Sequence, residues 1–319
     1  MAYENFIEAV EAKKLLKERD KYLCLADHCT REYEGEIKKQ GDKIKVKGLG
    51  RPTIYSIQKD GTYVADGVGK GSVAGSGKDI IHKGIPAPEE IKGYEKEFEV
   101  NQIALFNFMV GDIDEQQSSE KGIIAKTRPK AAQDIAYEQD KYVRKVITSC
   151  KESILLGSDF QANNVAKAVK LSSKTSASSG YINILDFIDE VIQQLRQNNV
   201  KDSEELFGEV SPAFIRRLKV ALRQVDTNNS KIVRGREVVP YNGVNFYMTN
   251  VMVENSNEEY AVIRTGDSVA FFDPLTKIKP YEPENGFADA IKGFNLYDSG
   301  ILDAKGCKFI KIDRQNYEG

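Results

Sequence analysis

The clearest candidate for chemistry is a short cluster near the amino terminus, Cys24-x-x-x-His28-Cys29, whose thiols and imidazole could bind a metal ion. A closed zinc site needs four ligands, which usually arrive as two spaced pairs. The other cysteine and histidine residues, His82, Cys150 and Cys307, form no second cluster. We therefore predict no metal site and interpret the group as half-buried thiols beside a surface histidine.

A second candidate is a glycine-rich run in which Gly69-x-Gly71-x-x-Ala74 matches a relaxed dinucleotide-binding pattern. That pattern binds pyrophosphate only when a strand precedes it and a helix begins on it. The glycines and prolines that follow exclude such a helix, and Gly77-Lys78 is followed by Asp79 instead of the Ser or Thr of a phosphate loop. The run is predicted to be a flexible loop, and a soluble nucleotide-binding enzyme is retained as an alternative.

Catalytic groups are otherwise scarce. The chain has two histidines, and its carboxylate-rich stretches have no partner base, so no acid–base pair or Ser/His/Asp arrangement can be assembled from the sequence. We predict that the protein is not an enzyme and uses no cofactor.

Composition sets the remaining limits. The chain has 319 residues, 40% of them hydrophobic, which suits a soluble protein of roughly two domains. A formal net charge of −2 argues against coating nucleic acid or anionic lipid through bulk charge. The acidic start and the absence of a long apolar run predict neither a signal peptide nor a membrane span, and hence a reducing, aqueous compartment.

The first third of the chain reads as a helix followed by a long hairpin. Phe6, Val10 and Leu15 recur at helical spacing within a predicted helix over 5–23, with a narrow apolar stripe suited to docking on a surface. Ile44 and Val46 then alternate with lysines, and an extended pattern that includes Phe98 and Val100 returns from Tyr94. An isolated two-stranded hairpin is marginal in water, so we expect a neighbouring subunit to cover this arm.

The rest of the chain alternates helices with extended segments. A helix is predicted over 114–150, with Pro129 kinking it or starting it late, and further helices over 184–197 and from Pro212 to about Val225. Extended segments are predicted over 245–254, 260–264, 268–272 and, as an alternating tail, 291–313.

This order of elements resembles the major capsid protein of tailed bacteriophages, with the HK-97-type fold. The amino-acid sequence also resembles that family, and the resemblance spans essentially the whole chain. It is carried by Glu11–Leu16, Arg31–Lys38, Asn101-Gln102, Phe108–Asp114, Asp140–Tyr142, Val210–Leu218, Gly243–Tyr247 and Thr249-Asn250.

The resemblance implies an α+β, HK-97-like capsid fold in four parts. Residues 1–40 would be an N-arm and 41–105 an extended β-hairpin loop overlapping an adjacent subunit. Residues 106–155 and 286–319 would form a peripheral domain with a long spine helix, and 156–285 an axial α/β domain. Some family members crosslink a loop lysine between subunits, but no activating acid singles out Lys59, Lys70, Lys78 or Lys83, so no crosslink is predicted.

The function implied is that of a shell protein of a virion capsid, assembled in the cytoplasm of a host bacterium. Hexamers and pentamers would enclose double-stranded DNA, held by non-specific contact, with a scaffolding protein, a portal and decoration proteins as further partners. An encapsulin-like bacterial compartment that encloses a cargo enzyme is the alternative with the same fold. The residues predicted to contact other subunits are Phe6, Val10, Ile44, Val46, Gly67, Gly69, Gly71, Gly75, Gly77, Phe98 and Val100.

Overall fold

The structure is a computed structural model, and its described residues form two compact units. One comprises residues 43–98, and the other comprises the described residues on either side of them. The predicted boundary at 105 falls inside a strand that runs unbroken through it, Gln102–Gly111. The described ranges are 14–32, 43–49, 54–57, 63–66, 93–111, 123–157, 160–162, 165–174, 176–201, 203–224, 238–284 and 288–318.

The 43–98 unit contains two pairs of strands. β1 (Lys43–Leu49) pairs with β4 (Gly93–Glu99), and β2 (Ile54–Ile57) pairs antiparallel with β3 (Tyr63–Asp66). The predicted change to a period of two after Gly41 is therefore confirmed, because β1 begins two residues later.

The larger unit is built mainly on two sheets and three long helices among the described residues. The helices are α1 (Ile123–Ser149), α2 (Ile184–Gln197) and α3 (Pro212–Gln224). The strands are β5 (Gln102–Gly111), β6 (Gln161–Ala162), β7 (Val165–Ala166), β8 (Ala168–Ser172), β9 (Ile182–Asn183), β10 (Leu206–Val210), β11 (Val238–Tyr241), β12 (Val244–Met248), β13 (Glu258–Thr265), β14 (Val269–Tyr281), β15 (Ala288–Ile301) and β16 (Cys307–Glu318).

A mixed seven-stranded sheet carries most of the core, in the order β11-β12-β10-β13-β16-β8-β9. Its central strand β13 is buried on both faces over its second half, which is why the middle of the strand, 260–263, is apolar without alternation. Ala261 and Ile263 pack with the helices α2 and α3, while Val262 packs with α1 on the opposite face.

Among the described residues, α1 covers one face of a three-stranded antiparallel sheet, β14-β15-β5. Ala132 and Ile135 of α1 pack against Ile278, Phe106 and neighbouring side chains of that face. The apolar side chains of α1 that face the core are buried, namely Ala132, Ile135, Ala136, Val143 and Ile147, and Pro129 lies inside the helix instead of starting it.

The other two helices begin and end close to where their sequence signals predict. α2 has the predicted limits, with Asn183 accepting a hydrogen bond from the backbone of Leu185 as its cap. Ser211 caps α3 as predicted, because its Oγ accepts from the backbone of Phe214 at 3.1 Å.

Two predicted elements are shorter than expected. Helical structure in the predicted 5–23 helix ends at residue 19, where the chain enters turns, and residues 1–13 lie outside the described part. The extended segment predicted over 245–254 stops at Met248. There the Thr249 side chain accepts a hydrogen bond from Val251 and starts a 3₁₀ turn over Asn250–Met252.

Candidate subunit-contact surfaces

The predicted contact residues of the hairpin divide by burial. Ile44 is fully buried and Val46 and Phe98 are half-buried, and Val100, just beyond β4, is fully buried. A neighbouring chain could therefore touch Val46 and Phe98 directly, whereas the other two support the local structure. The contact role of all four residues stays a prediction.

The remaining predicted contact residues lie outside the described part of the chain. They are Phe6, Val10, Gly67, Gly69, Gly71, Gly75 and Gly77. The lysines considered for a crosslink, Lys59, Lys70, Lys78 and Lys83, lie outside it as well.

An exposed ion-pair group joins the two long strands of the hairpin. Lys45 Nζ lies 3.1 Å from a carboxylate oxygen of Glu95 and 3.0 Å from one of Glu97. Hydrogen bonds to Glu97 and Glu95 raise the pKa of Lys45. Glu95, Glu97 and the exposed Glu99 share one face of β4 because side chains alternate along a strand, so that face is acidic.

The outer face of the three-stranded sheet is the second surface, and it carries exposed apolar side chains. Leu105 is 77% exposed, Met109 70% and Ile103 40%, all on alternate positions of β5. The sequence analysis missed these residues because Ala104, Phe106 and Phe108, on the other face of β5, are also apolar. Alternation therefore could not indicate which face is covered.

Three exposed lysines stand on the same outer face. Lys277 lies opposite Phe294, which lies opposite Leu105, and Lys279 lies opposite Lys292. These side chains line a groove of about 470 Å³ whose lining residues include no acidic side chain. Directly opposed lysines repel each other, and Lys292 also stacks on the ring of Tyr281 at 4.5 Å.

The residues 14–32 are held against the larger unit by buried polar contacts. Asp140 of α1 accepts hydrogen bonds from the backbone of Cys24 and Ala26, both at 2.9 Å. Burial raises the pKa of Asp140 to about 6, although these hydrogen bonds act in the opposite direction. Arg19 pairs with Asp273 in a further buried contact.

The deepest polar contact joins this segment to the seven-stranded sheet. Arg264 of β13 donates to both carboxylate oxygens of Glu209, at 3.0 and 2.6 Å, and to the carbonyl of Leu25 at 2.7 Å. His28 completes the group, with its Nδ1 3.2 Å from Glu209 and its ring stacked on Phe207 at 4.5 Å. Burial would raise the pKa of Glu209, but the charge of Arg264 and the hydrogen bond with His28 lower it.

This geometry corrects the interpretation of the cysteine–histidine cluster. The side chain of His28 is only 10% exposed, so it is not a surface histidine, because it fills the space between Phe207 and Tyr247. Burial raises the pKa of Cys29 to about 11 and also raises that of Cys24, so both thiols stay protonated. Across the described ranges, His, Cys, Asp and Glu side chains form no group of three or more that could hold a metal ion.

None of the described helices combines the length and the apolar character that crossing a bilayer requires.

Comparison with known proteins identifies the fold. No protein-family model matches the sequence, and no curated protein matches it. A solved structure from Mycobacterium phage Che8 matches with a TM-score of 0.63 at 16% identity, over 92% of each chain. The capsid of cyanophage P-SCSP1u matches with a TM-score of 0.58 at 12% identity, over 90% of this chain and 86% of that one.

A virus-like particle from Pyrococcus furiosus is similar to a lesser degree. Its TM-score is 0.50 at 13% identity, over 97% of this chain and 100% of that one. The phage structures therefore resemble this chain more closely. The chain has the HK-97-like α+β fold of phage capsid proteins.

Proposed function

We propose that this protein is the major capsid protein of a tailed bacteriophage. Copies assemble into hexamers and pentamers of an icosahedral shell, in the cytoplasm of the host bacterium, and the shell becomes part of the virion. It encloses double-stranded DNA through non-specific contacts, with a scaffolding protein, a portal and decoration proteins as partners. The protein has no catalytic role.

One observation carries this proposal: the fold matches a phage structure over 92% of both chains, with a TM-score of 0.63. The surfaces of the chain agree with it. A fold that buries its core yet leaves Leu105 and Met109 mostly exposed presents apolar area that other chains can cover.

The charges suggest how neighbouring copies meet. The acidic face of β4, with Glu95, Glu97 and Glu99, complements the lysine-bearing groove on the outer face of the three-stranded sheet. We place the hairpin of one copy on this groove of the next. Burial of the apolar rim stabilises the contact, and the opposite charges set its orientation.

Charge reversal tests this contact. Replacing Glu95 and Glu97 by lysine is expected to abolish assembly, and so is replacing Lys277 and Lys279 by glutamate. Combining the two double variants is expected to restore particles, as measured by sedimentation velocity and negative-stain microscopy. Lys151→Glu, an exposed change outside both surfaces, serves as the control and leaves assembly unchanged.

Microscopy of the purified full chain tests the function itself. Closed shells that enlarge and take up DNA when packaging partners are co-expressed are the expected result. A small shell of fixed size loaded with a cargo protein would support the encapsulin-like alternative. A chain that stays monomeric with and without a scaffold contradicts both.

The nucleotide-binding alternative has its own test. Saturable binding of ATP or NAD by the wild type, lost in Gly71→Val, would support it. The shell proposal predicts no such binding in either protein.

A further inference from the structure

The free edge of strand β5 differs from the edges that proteins usually leave exposed. β5 spans ten residues, Gln102–Gly111, and β15 is its sole partner among the described strands. It contains no proline and no charged residue, although charges and prolines are the usual protection of an exposed edge. An edge of this kind is a template for a strand from another chain.

We propose that this edge pairs antiparallel with β5 of a second copy, about a two-fold axis at Asn107. The proposal rests on the shell function and adds to the hairpin contact a second, symmetric one between copies. Pairing would join two three-stranded sheets into one sheet of six strands.

The arrangement of side chains along β5 favours this register. When Asn107 lies opposite Asn107 of the second copy, Leu105 of each copy lies opposite Met109 of the other. The two most exposed apolar side chains of the strand then cover each other in two symmetric pairs. On the other face, Phe106 lies opposite Phe108, which extends the stacked ring pair that they already form at 6.2 Å within one chain. A register centred one residue earlier would pair Leu105 with the polar Asn107.

Charge on the neighbouring helix supports the same axis. Lys130, Asp134 and Glu138 lie on the side of α1 that borders β5, where they line a groove of about 750 Å³ together with Asn107. α1 runs antiparallel to β5, because Gln139 donates to Asn295 and Tyr142 to Asp298, so α1 follows the direction of β15, which is antiparallel to β5.

The two-fold axis places Lys130, Asp134 and Glu138 of one copy beside the same three residues of the other copy, in reverse order. Asp134 is midway between Lys130 and Glu138, so an axis beside Asp134 places Lys130 of each copy near Glu138 of the other. The charge pattern is therefore complementary to itself, and only the two Asp134 carboxylates, close to the axis, repel each other.

Cysteine crosslinking tests the register in the full chain. Asn107→Cys is expected to form a disulfide between two copies under mild oxidation, because paired strands place facing Cα atoms about 4.5–5.5 Å apart, within disulfide range. Leu105→Cys and Met109→Cys alone are expected not to crosslink, because identical residues lie about 14 Å apart in this register. An equal mixture of the two variants is expected to crosslink. Mapping of the linked peptides by mass spectrometry separates these bonds from any that involve the native cysteines.

A charge test supplies an independent readout. Lys130→Glu and Glu138→Lys are each expected to slow crosslinking of Asn107→Cys several-fold, and the double variant to restore it. Asp134→Asn is expected to accelerate it, since it removes the repulsion at the axis.

The failure of this inference is distinguishable from failure of the proposed function. Particles seen by microscopy without a disulfide at position 107, or with equal crosslinking of Leu105→Cys alone and in the mixture, would overturn the β5 pairing and leave the shell function intact. Covering of the edge by a different protein would give the same negative crosslinking result. A chain that forms neither particles nor crosslinks contradicts both proposals.

Discussion

The two sheets of the larger unit differ in where their charged side chains lie. In the seven-stranded sheet, Glu209 and Arg264 are fully buried and hydrogen-bonded to each other and to the segment that precedes the hairpin. In the three-stranded sheet, Lys277, Lys279 and Lys292 point away from the core. A buried charge is tolerated only when it is paired, whereas a charge at the surface is accessible to another chain. The first sheet is therefore expected to determine stability and the second to determine assembly.

The largest predicted effect comes from breaking the buried pair. Arg264→Met leaves Glu209 buried without its cation, and two carbonyl oxygens lose a donor, so the free energy of unfolding is expected to fall by about 3–5 kcal/mol. Urea unfolding of the unassembled chain measures this. Adding Glu209→Leu is expected to recover part of the loss, because the unpaired carboxylate is then absent.

The control for this variant lies on the other sheet. Lys277→Met removes an exposed charge, and the free energy of unfolding is expected to stay within about 0.5 kcal/mol of the wild type. A loss as large as that of Arg264→Met would contradict the division between the sheets.

Asp140 of α1 holds the segment that precedes the hairpin through hydrogen bonds to Cys24 and Ala26. Its burial predicts that the free energy of unfolding depends on pH. Its pKa is raised to about 6 by burial, above the ordinary value of 3.8, so it favours the folded state most at low pH. This contribution is lost as the pH rises through 6. Compared with Asp140→Asn, the wild type is expected to lose about 2 kcal/mol of stability between pH 4 and pH 7. Parallel urea titrations of both proteins across that range would contradict the assignment if their difference stayed constant.

Much of this architecture was predictable from local patterns, and the buried charges were not. The limits of α2 and the capped start of α3 follow from signals that lie within a few residues of each other, Asn183 and Ser211-Pro212. Glu209 and Arg264 are 55 residues apart, and His28 lies 181 residues before Glu209. No periodicity relates these three residues. The pairing of β10 with β13 brings Glu209 and Arg264 together, and His28 reaches Glu209 from the segment 14–32.

The exposed face of the three-stranded sheet escaped prediction for a different reason. Both faces of β5 are apolar, so the rule of alternation had no contrast with which to work. The lysines Lys277 and Lys292 join this face only through the registers of β14 and β5 on β15. The contact residues that the sequence did suggest came from the hairpin, and their role awaits the charge-reversal experiment.

One glycine in each sheet shows how tightly that sheet is packed. A Cβ at Gly208 would lie 2.5 Å from the ring of Phe246, which is fully buried and has nowhere to move. A Cβ at Gly293 would meet the ring of Phe106, which is half-buried, and would also lie 2.9 Å from the backbone oxygen of Lys277, which the pairing of β14 with β15 holds in place. Gly208→Ala and Gly293→Ala are therefore each expected to cost about 2–3 kcal/mol. A loss below about 1 kcal/mol for Gly293→Ala in urea unfolding would show that the three-stranded sheet yields more easily than the other.

The smallest effect on the isolated chain, and the most informative for assembly, is expected from Lys45→Met. Lys45 pairs with Glu95 and Glu97 at the exposed surface of the hairpin, where ion pairs contribute little to folding, so the urea midpoint should not change measurably. The variant nevertheless removes a positive charge from beside Glu95 and Glu97, so the acidic face of β4 attracts the lysine-bearing groove of a neighbouring copy more strongly. Particles of Lys45→Met are therefore expected to form as readily as those of the wild type and to dissociate at a higher salt concentration, as followed by light scattering. Dissociation at a lower salt concentration would mean that Lys45 itself contacts the neighbouring copy, and the acidic face of β4 could then not be the surface that docks on the groove.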